Sequence, residues 1–222
     1  MYINMAIYHC IGDSHTWQFI GKLPENLNNN NIENYKKKYN RIYENNNKKN
    51  IFYGYRCCED GAYAYNINKR IPIIREIIDK INKEDIIIFM FGEVDCRYKI
   101  YSQSIKNKTN IEEEVKKVVN KYCETIKNNF NLNKIILWGP HPPHTQPEHP
   151  YIDVKDSNII NYITKLYNEN LQIKCIEYNW NYISLYNELN NENINTYFLN
   201  DTIHLDPFKI INIYLKKLEK IK

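Results

Sequence analysis

Long apolar runs are missing from this sequence of 222 residues. No stretch approaches the roughly 20 consecutive apolar residues that a membrane-spanning helix needs. The amino-terminal residues also lack the basic start and the cleavage site of a secretory signal peptide. We therefore expect a cytoplasmic protein that does not act at a membrane.

Paired cysteine motifs are missing as well. The six cysteines form no C-x-x-C pair, show no spacing typical of a secreted disulfide scaffold, and include two neighbours that are poorly placed to bond with each other: Cys10, Cys57, Cys58, Cys96, Cys123 and Cys175. Free thiols in a reducing compartment are the simplest expectation.

A concentrated patch of one charge is also lacking. The net charge is +4, but acidic and basic residues alternate along the chain, and the run of lysines at 36–38 lies among asparagines and tyrosines. A nucleic-acid site usually gathers its basic residues on one face. We therefore expect no nucleic-acid partner.

The chain shows neither an internal repeat nor a linker between domains. It is predicted to form a single domain over residues 1–222. A segment at about 23–50, rich in Asn, Lys and Tyr, has little periodicity and is predicted to be an insertion, partly helical over residues 32–43.

Short apolar runs alternate with segments of helical periodicity. The strands are predicted, in chain order, at residues 5–11, 51–53, 86–91, 135–138 and 174–178. The helices are predicted at residues 71–81, 112–130, 159–171 and 207–221. Strand and helix in repeated alternation predict a doubly wound parallel sheet with helices on both faces.

Reactive side chains follow the ends of these strands, where ligands bind in such sheets. Ser14 comes directly after the first strand, in the sequence Gly-Asp-Ser-His. Taken alone, Ser14 could simply cap a helix. Asp201 lies three residues before His204 on a loop, a spacing that lets the carboxylate orient the imidazole as a base for a serine.

In these first and last motifs the sequence resembles the SGNH (GDSL-like) hydrolase family. The resemblance implies a flavodoxin-like three-layer α/β/α sandwich with a five-stranded parallel sheet in the order 2-1-3-4-5. It also implies a triad of Ser14, Asp201 and His204 that needs no cofactor. The oxyanion hole would consist of the N–H groups of Ser14 and of Gly61, with Gly54 as the alternative.

The third motif departs from the family pattern Gly-x-Asn-Asp, because Val94 occupies the position of the asparagine donor. Arg97 is predicted to supply replacement charge at the crevice, steadied by Glu93 or Asp95. Alternatively, these three charged residues form an ion-pair lattice that only holds the loop. The stretch Gly-Glu-Val-Asp-Cys-Arg resembles SGNH-type proteins associated with surface-polysaccharide biosynthesis.

Further polar side chains are predicted to line the cleft. Asp13 and His15 flank Ser14, while His141 and His144 lie on a proline-rich loop after the 135–138 strand. The histidines of this loop invite a zinc hypothesis, but their spacing fits no familiar site and no acidic or thiol partner stands at a ligand interval. We therefore predict that they shape the substrate cleft and that no metal is bound.

These motifs together predict a serine ester hydrolase that acts on acyl groups, such as acetyl, carried by a carbohydrate. A sugar O-acyltransferase would use the same triad, so this alternative stays open. Because Val94 removes a donor, a non-catalytic carbohydrate-binding protein that keeps the fold is the rival from a different functional class.

Overall fold

The computed structural model describes residues 4–19, 39–45, 48–57, 63–146 and 156–221. Its strands are β1 (Asn4–Gly12), β2 (Tyr39–Asn45), β3 (Lys48–Arg56), β4 (Ile86–Met90), β5 (Ile135–Gly139) and β6 (Asn181–Ser184). Its α-helices are α1 (Ile71–Ile78), α2 (Ile100–Asn107), α3 (Ile111–Asn129), α4 (Ser157–Tyr178), α5 (Tyr186–Leu189) and α6 (Pro207–Leu218). Shorter turns of 3-10 helix span Ser14–Phe19, Ala64–Arg70 and Ile194–Tyr197, and a π-helix spans Asp95–Lys99.

The strands form one sheet in the order β2-β3-β1-β4-β5-β6. All neighbours pair in parallel except β2, which runs antiparallel to β3 at the edge. Numbered among themselves, the five parallel strands have the order 2-1-3-4-5. This confirms the predicted sheet, with β1 and β4 adjacent at its centre and Tyr8 opposite Ile86.

Apolar side chains cover both faces of the sheet. Ile87, Phe89 and Leu137 belong to a core with α1, α3 and α4, whereas Ile88 and Trp138 belong to a second core with α6. Because successive strand residues point to opposite faces, uninterrupted apolar runs are needed to fill two cores. The result is the predicted three-layer α/β/α arrangement.

The predicted strand at residues 174–178 is wrong, since this segment is the last turn and a half of α4. The buried side chains of Leu171 and Cys175 lie four residues apart on one helical face. Asn179 ends the helix with a left-handed φ of 55°. The fifth parallel strand follows as β6.

The helix predicted within residues 32–43 is not found over the described part, because residues 39–45 form β2. The antiparallel partner explains this outcome: Ile42 faces Ile51 of β3 across the ladder. The rest of the predicted insertion lies largely outside the described residues.

The thiols of Cys10, Cys96, Cys123 and Cys175 are free and buried. Cys57 is buried as well, and Cys58 lies outside the described residues. Within the described ranges, every helix is too short or too polar to cross a bilayer.

Gly139, the last residue of β5, packs directly against α4. A Cβ atom at this position would lie 1.9 Å from Oδ1 of Asn168, which accepts a hydrogen bond from the Tyr182 hydroxyl at 2.6 Å. Nδ2 of Asn168 donates to the Pro140 carbonyl at 2.8 Å. Any larger residue at 139 must therefore displace a buried amide that joins α4, β5 and β6.

We expect Gly139→Ala to lower the free energy of unfolding by about 1–3 kcal/mol, the usual cost of overpacking. In an Asn168→Ala background the same change should cost much less, because the clashing amide is gone. Urea denaturation of the two single variants and the double variant measures this coupling. Strictly additive losses would contradict the predicted clash.

Candidate active site

Ser14 lies at the carboxyl end of the central strand β1. Here β1 runs so close to β4 that a Cβ on Gly12 would lie 2.1 Å from the Met90 carbonyl oxygen. Only glycine permits this approach, which also lets the Asp13 N–H donate to Met90 at 3.3 Å. The chain then turns into the 3-10 helix Ser14–Phe19, so that Ser14 opens the helix as predicted.

Asp201 and His204 lie on the loop before α6. The Leu199 N–H donates to the His204 carbonyl at 2.8 Å, and Thr202 adopts a left-handed φ of 57°, which closes the loop tightly. Oδ1 of Asp201 accepts hydrogen bonds from the N–H groups of Ile203 and His204, each at 2.9 Å. These bonds leave Oδ2 facing the imidazole.

Ser14, His204 and Asp201 form a continuous hydrogen-bonded chain. Nε2 of His204 lies 2.7 Å from Oγ of Ser14, and Nδ1 lies 2.6 Å from Oδ2 of Asp201. Burial alone would raise the pKa of Asp201, but the hydrogen bonds and the charge of His204 outweigh it and hold this pKa well below its usual range. An ionised Asp201 keeps the proton on Nδ1, so that Nε2 accepts the Ser14 hydroxyl.

Five polar side chains, each at most 6% exposed, pack beneath this chain: Asp13, His15, Glu93, Arg97 and His141. We call them the buried polar cluster. They come from the ends of β1, β4 and β5, which meet at one edge of the sheet. Asp13, His15 and His141 were predicted to line the cleft, and Arg97 to supply charge there with Glu93 steadying it. All five side chains are buried instead.

Arg97 connects the buried polar cluster to the loop of His204. Its Nη2 donates to Glu93 at 3.0 Å and its Nη1 donates to the carbonyl of Ile203 at 3.0 Å. The guanidinium thus braces the residue next to His204. This differs from the expected contact with a developing anion, because both donors are already bound within the protein.

Asp13 and His15 form a second carboxylate–imidazole pair. Oδ1 of Asp13 accepts from the His15 N–H at 2.8 Å and lies 2.9 Å from Nδ1 of the ring. Burial raises the pKa of Asp13 to about 7, although the hydrogen bond from His15 and nearby positive charges oppose the shift. Burial lowers the pKa of His15 to about 3, so the ring is neutral at physiological pH.

His15, Glu93 and His141 bring three potential metal-ligand atoms within 4.8 Å of one another, the one such group among the described residues. Arg97 nevertheless lies against it, with Nη2 3.0 Å from Glu93 and 3.2 Å from Nε2 of His141. A divalent cation there would face strong repulsion from the guanidinium. The arrangement therefore fits an ion pair better than a metal centre.

Asp95 and His144 lie apart from the buried polar cluster. The carboxylate of Asp95 accepts from the N–H groups of Ala64 and Tyr65, at 2.6 and 3.0 Å, rather than steadying Arg97. His144 is half-buried and packs its ring against the edge of Phe198. The ion-pair lattice considered above is thus limited to Glu93 and Arg97.

Of the predicted oxyanion donors, only the Ser14 N–H lies in the described part of the chain and outside the sheet. Gly61 lies outside the described residues, and its alternative Gly54 lies inside β3 between β1 and β2, where backbone groups serve the sheet. Val94 is half-buried and offers no side-chain donor. The N–H of Ser14, as the first of its helix, has no partner within that helix.

Sequence reasoning missed Trp17 and Arg56. The Trp17 ring lies 6.3 Å from the His204 ring, and the Arg56 guanidinium lies 5.2 Å from the Trp17 ring. The three-residue interval from Ser14 to Trp17 is the repeat of a 3-10 helix, and Arg56 ends the strand next to β1. This spacing and this strand-end position can be read from the sequence, but Trp17 and Arg56 lie outside the motifs from which the site was predicted.

No protein-family model matches this sequence, and no curated protein is significantly similar to it. Solved structures do match nearly the whole chain. The lipase/acylhydrolase from Enterococcus faecalis is 16% identical, with a TM-score of 0.55 over 97% of this chain and 95% of that one. A catalytic mutant of an acetylxylan esterase from Geobacillus stearothermophilus is 13% identical, with a TM-score of 0.57 over 100% and 98%.

A phospholipase A1 from Streptomyces albidoflavus NA297 is 11% identical, with a TM-score of 0.51 over 98% of this chain and 99% of that one. Identities this low establish similarity of fold alone. The chain thus shares its fold with a lipase/acylhydrolase and with an acetylxylan esterase.

Proposed function

We propose that the protein is a serine ester hydrolase of the SGNH type. The observation that carries this proposal is the chain of two short hydrogen bonds from Ser14 through His204 to Asp201, 2.7 and 2.6 Å long. A serine, a base and an orienting carboxylate in this geometry recur in unrelated hydrolases. The acylhydrolases and esterases that share the fold support the same chemistry.

In the proposed reaction Oγ of Ser14 attacks the ester carbonyl carbon while Nε2 of His204 takes the hydroxyl proton. The C–O bond to the leaving alcohol then breaks, and His204 returns the proton to that alcohol. A water molecule, deprotonated by His204, attacks the acyl-serine, releases the carboxylic acid and restores Ser14. Asp201 stays ionised and stabilises the imidazolium at both stages.

The oxyanion of the proposed intermediate would bind to backbone N–H groups. The N–H of Ser14 is suitably placed at the start of its helix, and the N–H of Gly61 is retained as the second donor in this proposal. Since Val94 supplies no third donor, we expect a slower enzyme than one with asparagine there, by about 10²–10³-fold.

The proposed substrate is an acyl ester, such as an acetyl ester, of a carbohydrate. The half-buried ring of Trp17 near His204 offers a flat apolar surface at the mouth of the site. An acetylxylan esterase of the same fold supports this substrate class. A sugar O-acyltransferase would differ only in that a sugar hydroxyl, rather than water, attacks the acyl-serine.

Replacement of the proposed nucleophile tests the reaction. We expect Ser14→Ala to lower kcat/KM for p-nitrophenyl acetate and for acetylated xylo-oligosaccharides by at least about 10³-fold. Ser102→Ala, which removes a half-buried hydroxyl from α2, should behave like the wild type. Products are followed by absorbance and by mass spectrometry, which also detects acyl transfer to an added sugar.

A fluorophosphonate probe should label the wild type at Ser14 and leave Ser14→Ala unlabelled. Equal background rates for both proteins across these esters, together with no labelling, would instead favour the carbohydrate-binding alternative.

The orienting carboxylate gives a second test. In Asp201→Asn the amide oxygen should stay with the two backbone N–H groups, so that the NH₂ group faces Nδ1 of His204. The imidazole must then carry its proton on Nε2 and cannot accept the Ser14 proton. We expect kcat to fall by about 10⁴-fold with the fold intact.

The matched control is Asp206→Asn, since Asp206 also accepts a backbone N–H, that of Phe208 at 2.9 Å, as the cap of α6. Asparagine caps a helix as well as aspartate does. Similar activity losses in both variants would mean that Asp201 serves only the loop.

Arg97→Lys tests the brace beneath His204. A lysine cannot bind the Glu93 carboxylate and the Ile203 carbonyl at the two positions of the planar fork. We expect kcat to fall by about 10- to 100-fold with little change in KM, because the proton acceptor is displaced and not the substrate. Thermal melting verifies the fold, and Arg75→Lys on the exposed face of α1 is the control. An unchanged kcat would assign Arg97 to stability alone.

A further inference from the structure

Two carboxylate–imidazole pairs lie side by side in the site. Asp201 binds Nδ1 of His204 at 2.6 Å, and Asp13 lies 2.9 Å from Nδ1 of His15. The rings of the two histidines are 4.7 Å apart between centroids, with an angle of 35° between their planes. The ring of His15, in the second pair, therefore packs against the ring of His204, in the first.

The orientation of His15 is fixed from several sides. Asp13 holds both its backbone N–H and its ring, and the ring of His141 lies 5.5 Å away on the other flank. The side chain is buried, with 3% exposure, so few alternative rotamers are open to it. A ring held in this way presents a fixed surface to its neighbour.

His15 suits this role chemically because it is neutral. With Nδ1–H donating to Asp13, Nε2 carries a lone pair, and among the described residues this buried atom has no side-chain hydrogen-bond partner. His204 becomes an imidazolium in the proposed reaction, and a cationic ring beside it would oppose that step. A neutral aromatic ring does not, and its face attracts a cation.

We propose that His15 is a positioning residue, whose ring, oriented by Asp13, backs the imidazole of His204 and holds it in line with Ser14. This inference rests on the proposed function for its kinetic consequence. Its structural consequence is that the orientation of the His204 ring depends on His15. This consequence can be tested without measuring activity.

Three variants separate ring contact from other effects of His15. His15→Leu removes the aromatic ring, and we expect kcat to fall about tenfold with KM within about twofold, the scale of one aromatic pair. His15→Phe restores a flat ring without nitrogen atoms and should return kcat to within about threefold of the wild type. His9→Leu is the matched control, as it removes another buried histidine, 3.0 Å from the Asp85 carboxylate.

His9→Leu should lower the melting temperature and leave kcat unchanged, which calibrates the effect of losing a buried carboxylate–imidazole pair elsewhere in β1. A wild-type kcat in His15→Leu would overturn the proposal. So would a His15→Phe protein as impaired as His15→Leu, because the nitrogen atoms would then matter and not the ring.

Nuclear magnetic resonance of the wild type supplies a test that needs neither folding of a variant nor activity. The ring protons of His204 should show contacts to those of His15 and an upfield ring-current shift. Missing contacts would overturn the inference directly. If wild type and Ser14→Ala share one background rate, the proposed function fails, and these contacts alone decide whether His15 positions His204.

Discussion

The close approach of β1 and β4 at Gly12 sets where the chain segments that carry Ser14 and Glu93 leave the sheet. Because no side chain fits between Gly12 and the Met90 carbonyl, the two strands end level with each other. Ser14 begins two residues beyond one strand end, and Glu93 lies three residues beyond the other. The nucleophile and the members of the buried polar cluster that follow β1 and β4 therefore start from neighbouring points of the backbone.

The last helix brings His204 to this point across 190 residues of chain. Tyr214 of α6 packs its ring 4.7 Å from Phe19, at the end of the helix that Ser14 opens, and contacts Trp138 of β5 edge-on. Aromatic packing on one face of the sheet thus joins the first and last motifs. Since apolar contacts have little directional preference, the fine alignment has to come from hydrogen bonds.

Much of the fold could be predicted from the sequence because continuous apolar runs and helical stripes report burial directly. The prediction failed at residues 174–178, where Lys-Cys-Ile-Glu-Tyr alternates like a strand although Cys175 continues the buried face of α4. It also missed β2, which pairs antiparallel with β3 at the edge of the sheet.

In the candidate site, too, short sequence motifs could be recognised, whereas contacts between residues far apart in the chain could not be predicted. The proximity of Ser14, Asp201 and His204 could be expected, because the Asp-x-x-His spacing and the strand-end serine are local patterns. The orientation of Arg97 could not, because its partner is the carbonyl of Ile203, 106 residues away. A side chain that binds a distant backbone carbonyl leaves no trace in the spacing of residues.

The buried polar cluster costs free energy, since charges removed from water are repaid only by well-formed contacts. Arg97 and Glu93 meet this condition with each other. Their remaining contacts reach the carbonyl of Ile203, on the loop of His204, and His141. A cluster of apolar residues could fill the same volume but could not fix the angle of a loop carbonyl. Directional contacts are what a site requires when the base comes from a separate part of the chain.

Val94 supplies no side-chain donor, and its neighbour Asp95 likewise makes a structural contact. Asp95, the next residue, binds the N–H groups of Ala64 and Tyr65, three and four residues after Gly61. Burial raises the pKa of Asp95 to about 7, and the two backbone hydrogen bonds counter that shift in part. The motif after β4 thus acts on the segment that follows the glycine and contributes no donor of its own. In the proposed reaction the oxyanion would therefore bind to backbone N–H groups, while the carboxylate of Asp95 holds the backbone of Ala64 and Tyr65.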